Sequence, residues 1–180
     1  MKELSLNILD VTENSVKAGA TLTEILLEET ENELTIKIAD DGCGMDEETV
    51  KSVVDPFYTT RTTRKVGLGV PLLKMAAEQT DGSFSVQSSV KKENHGTVVT
   101  AVFNKNHLDF TPLGDVVSTL TTLIQGHPDT DFYFSHKKVG GVVTLDTREI
   151  RQVLEGVPLN SYEVIKWIEE YLKEQYSLIV

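Results

Sequence analysis

Two stretches of alternating residues, TEILLEE (23–29) and ELTIKIAD (33–40), stand three residues apart, with Thr30, Glu31 and Asn32 between them. In the second, Leu34, Ile36 and Ile38 recur at period two and share one face of a strand. Strands joined by so short a connection pair as an antiparallel hairpin. Its apolar face cannot be buried by the hairpin alone, so the chain needs a cover for it. Residues 3–18 supply one: Leu4, Ile8, Val11, Ser15 and Ala18 fall on one stripe at helical spacing. Beside it runs a second stripe of polar side chains, Asn7, Asp10, Asn14 and Lys17.

The helix-and-hairpin pattern continues. Residues 46–54 read as a short helix with acids in its first turn, where the helix dipole favours them. The stretch DPFYTTRTTRKVGLG (55–69) has no periodicity, and a loop of that length in a compact domain is usually functional or disordered. VPLLKMAAEQT (70–80) reads as a helix, with Pro71 in its first turn and Gly82 past its end. SFSVQSSV (83–90) and TVVTAVF (97–103) read as strands. After Asn104 the pattern restarts: a helix over 113–124 opened by Thr111-Pro112, a hairpin around Val139-Gly140, a short helix over 148–156 and an amphipathic helix over 161–176. This divides the chain into 1–104 and 105–180, the second part being either a small partner-docking domain or an extension of the first sheet. The expected class is α/β (α+β), a two-layer sandwich with a mixed sheet and helices on one face.

Composition narrows the function. Seventeen bases against 28 acids give a net charge of −11 over 180 residues, with no basic stripe, which argues against nucleic acid as a partner. The one local concentration of bases, Arg61, Arg64 and Lys65, suits a small anionic ligand, although a solvated loop would look the same. No apolar run reaches the roughly 20 residues that span a bilayer, and MKELSLNILD lacks the bases and apolar core of a signal peptide. With one cysteine, Cys43, there is no internal disulfide. The expectation is a cytoplasmic protein without membrane contact; the oligomeric state is not legible.

Three local patterns carry chemistry. Asp40-Asp41-Gly42-Cys43-Gly44 directly follows a strand, so a carboxylate can accept from a ligand's amino group while the glycine backbone passes close by. A plain Asp-Gly turn explains the same residues. Gly67-Leu68-Gly69 opens a helix whose free N–H groups and dipole suit phosphate. Asn14, one turn from Asp10, offers a hard oxygen to Mg²⁺, and the Asp10 carboxylate can orient a nucleophile, but taken alone the pair is better explained as an exposed polar helix face.

In that order and on those elements, the residues resemble the GHKL superfamily of ATPases, which includes gyrase, the heat-shock chaperone, sensor histidine kinases and mismatch-repair ATPases. The resemblance covers residues 1–104. DVTENSVKAGAT (10–21) is similar to the N box and DDGCGMD to the first glycine box. DPFYTTR and GLGVPLLK resemble the phenylalanine motif and second glycine box of the histidine-kinase branch, and His95-Gly96-Thr97 resembles the closing Gly-Thr. The resemblance implies the Bergerat ATP-binding fold and the cofactors ATP and Mg²⁺. Asn14 would bind the metal, and Asp40 would accept from the adenine amino group. Gly42, Gly44 and Met45 would shape the base pocket, with Thr97 supporting the base end. Gly67, Leu68 and Gly69 would wrap the triphosphate. Arg61, Arg64 and Lys65 would sit over the phosphates in a lid of residues 56–66, and Lys17 would be a further cofactor-binding residue. Asp10 would be the catalytic residue, a shorter side chain where the ATPase and anti-sigma-kinase branches usually carry glutamate.

The chain begins almost at the N box, without the strand and helix that usually precede it, and the C-terminal hairpin is one candidate for the vacant sheet edge. Over its whole length, including PLGDVVSTLTTLI and DTREI, the sequence resembles small stand-alone ATP-binding proteins of anaerobic bacteria. The implied function is slow ATP hydrolysis or phosphoryl transfer to a protein. The alternative is an ATP-gated module that closes on nucleotide and presents a surface to a protein partner. An acidic scaffold without nucleotide ranks third. His107 has the spacing to Pro112 of a sensor-kinase histidine box, but it is expected to lie in a linker and not to accept phosphate.

Overall fold

The computed structural model describes residues 3–55 and 68–179. Helix α1 (Leu4–Lys17) leads into strands β1 (Leu22–Glu29) and β2 (Glu33–Asp40), then α2 (Glu47–Val54). Next come α3 (Gly69–Glu78), β3 (Ser83–Ser89) and β4 (Gly96–Asn104). The C-terminal part adds α4 (Val116–Gly126), β5 (Asp131–Lys138), β6 (Gly141–Asp146), α5 (Thr147–Leu154) and α6 (Tyr162–Leu178). The six strands form one sheet in the order β3-β4-β2-β1-β5-β6. All neighbours are antiparallel except β1 and β5, which run parallel. The sheet is therefore mixed, as expected, and the C-terminal hairpin continues it beyond β1.

Alternation fixes which face is covered. Ile25, Leu27, Leu34, Ile36, Ile38, Ala101, Phe103, Phe132 and Phe134 are buried, joined by Leu4, Ile8 and Val11 of α1, Leu73 of α3 and Leu120 of α4. Each large side chain taken out of water here contributes about 1.5–3 kcal/mol. The intervening strand residues, such as Glu24, Thr35, Lys37 and Thr100, are partly or fully exposed on the opposite face. The exposed edge of β6 is closed by a side chain. The Gln175 amide accepts from Thr144 N at 3.0 Å and donates to Thr144 O at 2.9 Å, so α6 takes the place of a seventh strand.

The start of α4 differs from the sequence expectation. The helix does not open at Thr111-Pro112; its N-cap is Asp115, whose carboxylate accepts from Ser118 N at 2.9 Å. Residues 112 and 113 are used elsewhere. Their carbonyls accept from Leu4 N and Ser5 N at 2.9 and 2.8 Å, satisfying two first-turn amides of α1 that Glu3 does not cap. Gly114, at φ +81°, then turns the chain into the helix. His107 lies in the turn before this segment and not on a helix, where its Nδ1 accepts from Asp109 N at 3.1 Å.

A buried polar cluster fastens the added strands to the rest. His136 of β5 is bonded through Nε2 to Glu29 Oε1 at 2.9 Å and through Nδ1 to the Tyr176 hydroxyl at 2.6 Å. Lys105 Nζ donates to Glu29 Oε2 at 3.1 Å. Burial, and secondarily the Glu29 charge, raise the Tyr176 phenol, which stays protonated. The His136 hydrogen bond holds the Glu29 carboxyl well below its ordinary 4.5, at about 2, with Lys105 adding to the effect against the cost of burial. A depressed carboxylate stabilises the fold above its unfolded value and loses that contribution as pH falls. Glu29→Gln is expected to cost about 1–3 kcal/mol near neutral pH. The difference from wild type should shrink between pH 4.5 and about 2 and vanish below, in urea unfolding followed across that range. A difference constant with pH would contradict this role.

Candidate nucleotide site

The second face of α1 and the ends of β2 and β4 meet at one cleft of about 260 Å³. Asn14, Lys17, Asp40, Gly44, Met45 and Thr97 line it. Its walls are apolar, with Val11, Val53, Val70, Val86 and Val99 contributed by five different elements. Asp40 is the only carboxylate among the described lining residues. The antiparallel register places it directly opposite Thr97.

The Asp40 carboxylate is held on both oxygens. Oδ2 accepts from Ser15 Oγ at 2.6 Å, and Oδ1 accepts from Gly42 N at 2.9 Å. An ionised carboxylate offers about four acceptor sites, so capacity remains for a ligand's amino group. Ser15 sits on the otherwise apolar stripe of α1, and its buried hydroxyl needs a partner, which explains a serine there. Asp41 does different work. Its carboxylate accepts from Thr21 and Leu22 backbone N–H groups at 2.7 and 3.0 Å and fastens the turn between α1 and β1. Burial works against its ionisation, but the Thr21 hydroxyl and the backbone donors outweigh it and lower the group.

The glycine loop after Asp40 is pinned on three sides. His95 Nδ1 lies 2.6 Å from Gly42 O, Met45 N donates to Ser88 Oγ at 2.8 Å, and Ser88 Oγ lies 2.7 Å from Thr97 Oγ1. Gly44 adopts φ +76°, and a Cβ there would fall 1.8 Å from Ser89 O. At Gly42 a Cβ would crowd Ala18 Cβ at 2.9 Å and Asp40 Oδ1 at 3.0 Å. These close approaches are what the glycine spacing provides.

Asp10, Gly42, Leu68 and Gly69 border the site without lining the cleft. Gly69 begins α3 against α1, where a Cβ would lie 2.7 Å from Asp10 Cβ, so the start of α3 and Asp10 are brought together. Leu68 is the N-cap of α3 and is 52% exposed. Burial raises the Asp10 carboxyl, the nearby Glu13 charge adds to this, and Lys17 partly offsets it. Glu13 is itself held by His127 Nε2 at 2.9 Å. Arg61, Arg64, Lys65, Gly67 and the lid over 56–66 lie outside the described residues. The sequence reading passed over the roles of Ser15, Ser88 and His95, the valine walls, and Thr49 and Val53 of α2.

A family model described as "Histidine kinase-, DNA gyrase B-, and HSP90-like ATPase" matches residues 2–107, more than half of the chain. The chain belongs to that ATPase family. Among curated proteins it is 37% identical over 98 residues to "Sensor histidine kinase YvrG" of Bacillus subtilis, which covers 51% of this chain and 16% of that protein. It is 34% identical over 91 residues to "Tetrathionate sensor histidine kinase TtrS" of Salmonella typhimurium, covering 50% of this chain and 15% of that one. This member of the family thus matches a small part of the length of these relatives. Among solved structures, the ADP-complexed MutL ATPase domain of Aquifex aeolicus aligns with a TM-score of 0.54 at 16% identity. It covers 86% of this chain and 70% of that one. An N-terminal domain of a DNA repair protein aligns with a TM-score of 0.57 at 18% identity, covering 81% and 52%. The fold likeness to both extends beyond what residues 2–107 can supply, so it takes in part of the C-terminal segment. No helix among the described residues is long and apolar enough to cross a membrane.

Proposed function

We propose that this member of the ATPase family binds ATP with Mg²⁺ in the cleft and carries out a slow phosphoryl transfer, to water or to a protein side chain. The observation that carries the reading is Asp40, a single carboxylate set among valines, with both oxygens fixed by Ser15 and Gly42. Such a slot suits a planar base with an exocyclic amine: apolar walls for the faces, a fixed acceptor for the N–H. Asn14 and Lys17 line the same cleft, supplying a hard oxygen and a positive charge for the phosphate end. Asn14 is the one metal ligand in this reading, in keeping with the habit of Mg²⁺ of retaining waters and phosphate oxygens rather than a protein cage. When bound, the metal would neutralise charge on the phosphates. Arg61, Lys65, Gly67, Leu68 and Gly69 complete the phosphate end in the same proposal.

In this reading Asp10 orients the nucleophile. Its raised carboxyl makes it a stronger base than an exposed aspartate. Asp10→Asn is expected to reduce turnover about 10²-fold or more while leaving nucleotide affinity within about threefold, because binding rests on other residues. The check is phosphate release from ATP alongside calorimetric binding on the same preparations. One observation favours a second reading: Asp10 does not line the cleft itself. If the variant turns over at the wild-type rate, Asp10 is a helix-face residue and the protein is an ATP-gated interaction module.

A further inference from the structure

An open apolar groove lies away from the nucleotide cleft. A groove of about 440 Å³ runs between α5 and α6. Ile150, Val153 and Leu154 form one wall, and Val164, Trp167 and Tyr171 the other. Trp167 and Tyr171 are one helical turn apart and stack with centroids 4.9 Å apart and planes at 9°. They present a flat aromatic wall whose rings are already ordered, so little side-chain entropy is lost on contact. Val153 is 81% exposed and Trp167 51% exposed. A groove this open suits a helix laid along it better than an enclosed small molecule.

Its charge selects the occupant. Glu149 on α5 and Glu163 on α6 line the groove, and neither makes an ion pair among the described residues. The two bases of α5 are already paired, Arg148 with Asp146 at the groove's own edge at 2.9 Å and Arg151 with Asp131 at 2.7 Å. Lys166 is not among the lining residues. A second copy of the chain, at net charge −11, would set acids against acids. We infer that the α5–α6 groove docks an amphipathic helix of a partner protein, its apolar stripe against Trp167 and Tyr171 and its flanking lysines or arginines on Glu149 and Glu163.

Trp167 is the only tryptophan, so its fluorescence reports on the groove directly. The probe is a synthetic amphipathic peptide of about 18 residues, roughly five helical turns, with leucine on one face and lysine on the other. It is titrated into the full chain without nucleotide. A saturable blue shift is expected, and a peptide with glutamate in place of lysine should give none. Glu149→Gln with Glu163→Gln should weaken binding about tenfold. Those substitutions remove only two of 28 acids, so a general attraction between opposite charges would hardly change. Val153→Asp, at an exposed position that tolerates the change in folding, should weaken it at least as much. The inference is overturned if no saturable shift occurs, if the acidic peptide binds equally, or if either variant binds as wild type does. It is also overturned if Trp167 emission shifts with chain concentration alone while sedimentation shows a dimer, since a second copy would then fill the groove.

Discussion

Gly44→Ala is expected to cost about 2–4 kcal/mol of stability and to abolish nucleotide binding. Two penalties coincide at this residue. The backbone sits at φ +76°, where a side chain is strained, and the new Cβ would fall 1.8 Å from Ser89 O. The obstacle is main chain of β3, which cannot swing aside as a side-chain end could. The loop must therefore move, and with it the Met45 N–Ser88 Oγ bond that ties this corner of the cleft together. Gly19→Ala is the matched control. Gly19 has a similar φ of +79°, but a Cβ there meets nothing within 4 Å. Only the backbone strain remains, about 1 kcal/mol, and nucleotide affinity should be kept. Denaturant unfolding and calorimetry on both variants check the difference; equal losses would show that the contact with Ser89 carries no weight.

Asp40→Asn is expected to lower nucleotide affinity about 10- to 150-fold while costing only about 1 kcal/mol of stability. The amide keeps one acceptor oxygen and turns the other into a donor. Both carboxylate oxygens are already in use: Gly42 N, a fixed donor, will hold the amide oxygen, and the new NH₂ turns to Ser15 Oγ, which must accept where it donated before. The group left for an adenine amine is then weaker, uncharged or pointed wrongly. Ser15→Ala is expected to have a smaller effect in the same direction, because it frees one oxygen without altering charge. Isothermal calorimetry with ADP and ATP separates these cases; an unchanged affinity in Asp40→Asn would remove Asp40 from base recognition.

Much of the fold was legible because its signals are local. The strands of the first hairpin, the turn between them and the helix that covers them follow from periodicity, and β2 runs from Glu33 to Asp40 as the alternation predicts. The start of α4 was not legible, because it is set by a long-range exchange: α1 takes the carbonyls of residues 112 and 113, and Asp115 becomes the cap. Nor could the sequence choose between a separate C-terminal domain and a continued sheet. That choice rests on parallel pairing between β5 and β1, strands more than a hundred residues apart, and on His136 reaching Glu29 and Tyr176. In the cleft, the residues carrying charge or glycine freedom stood out in order along the chain. Ser15, Ser88 and His95 did not, since each acts by holding another residue and only the folded register reveals its partner.

The most direct test of the account is titration of the unmodified chain with ATP, in the presence and absence of Mg²⁺, by isothermal calorimetry. The account predicts saturable binding at one site, tighter with Mg²⁺ and lost in large part in Asp40→Asn. No binding at nucleotide concentrations up to about 1 mM, a threshold of roughly −4 kcal/mol, would contradict it.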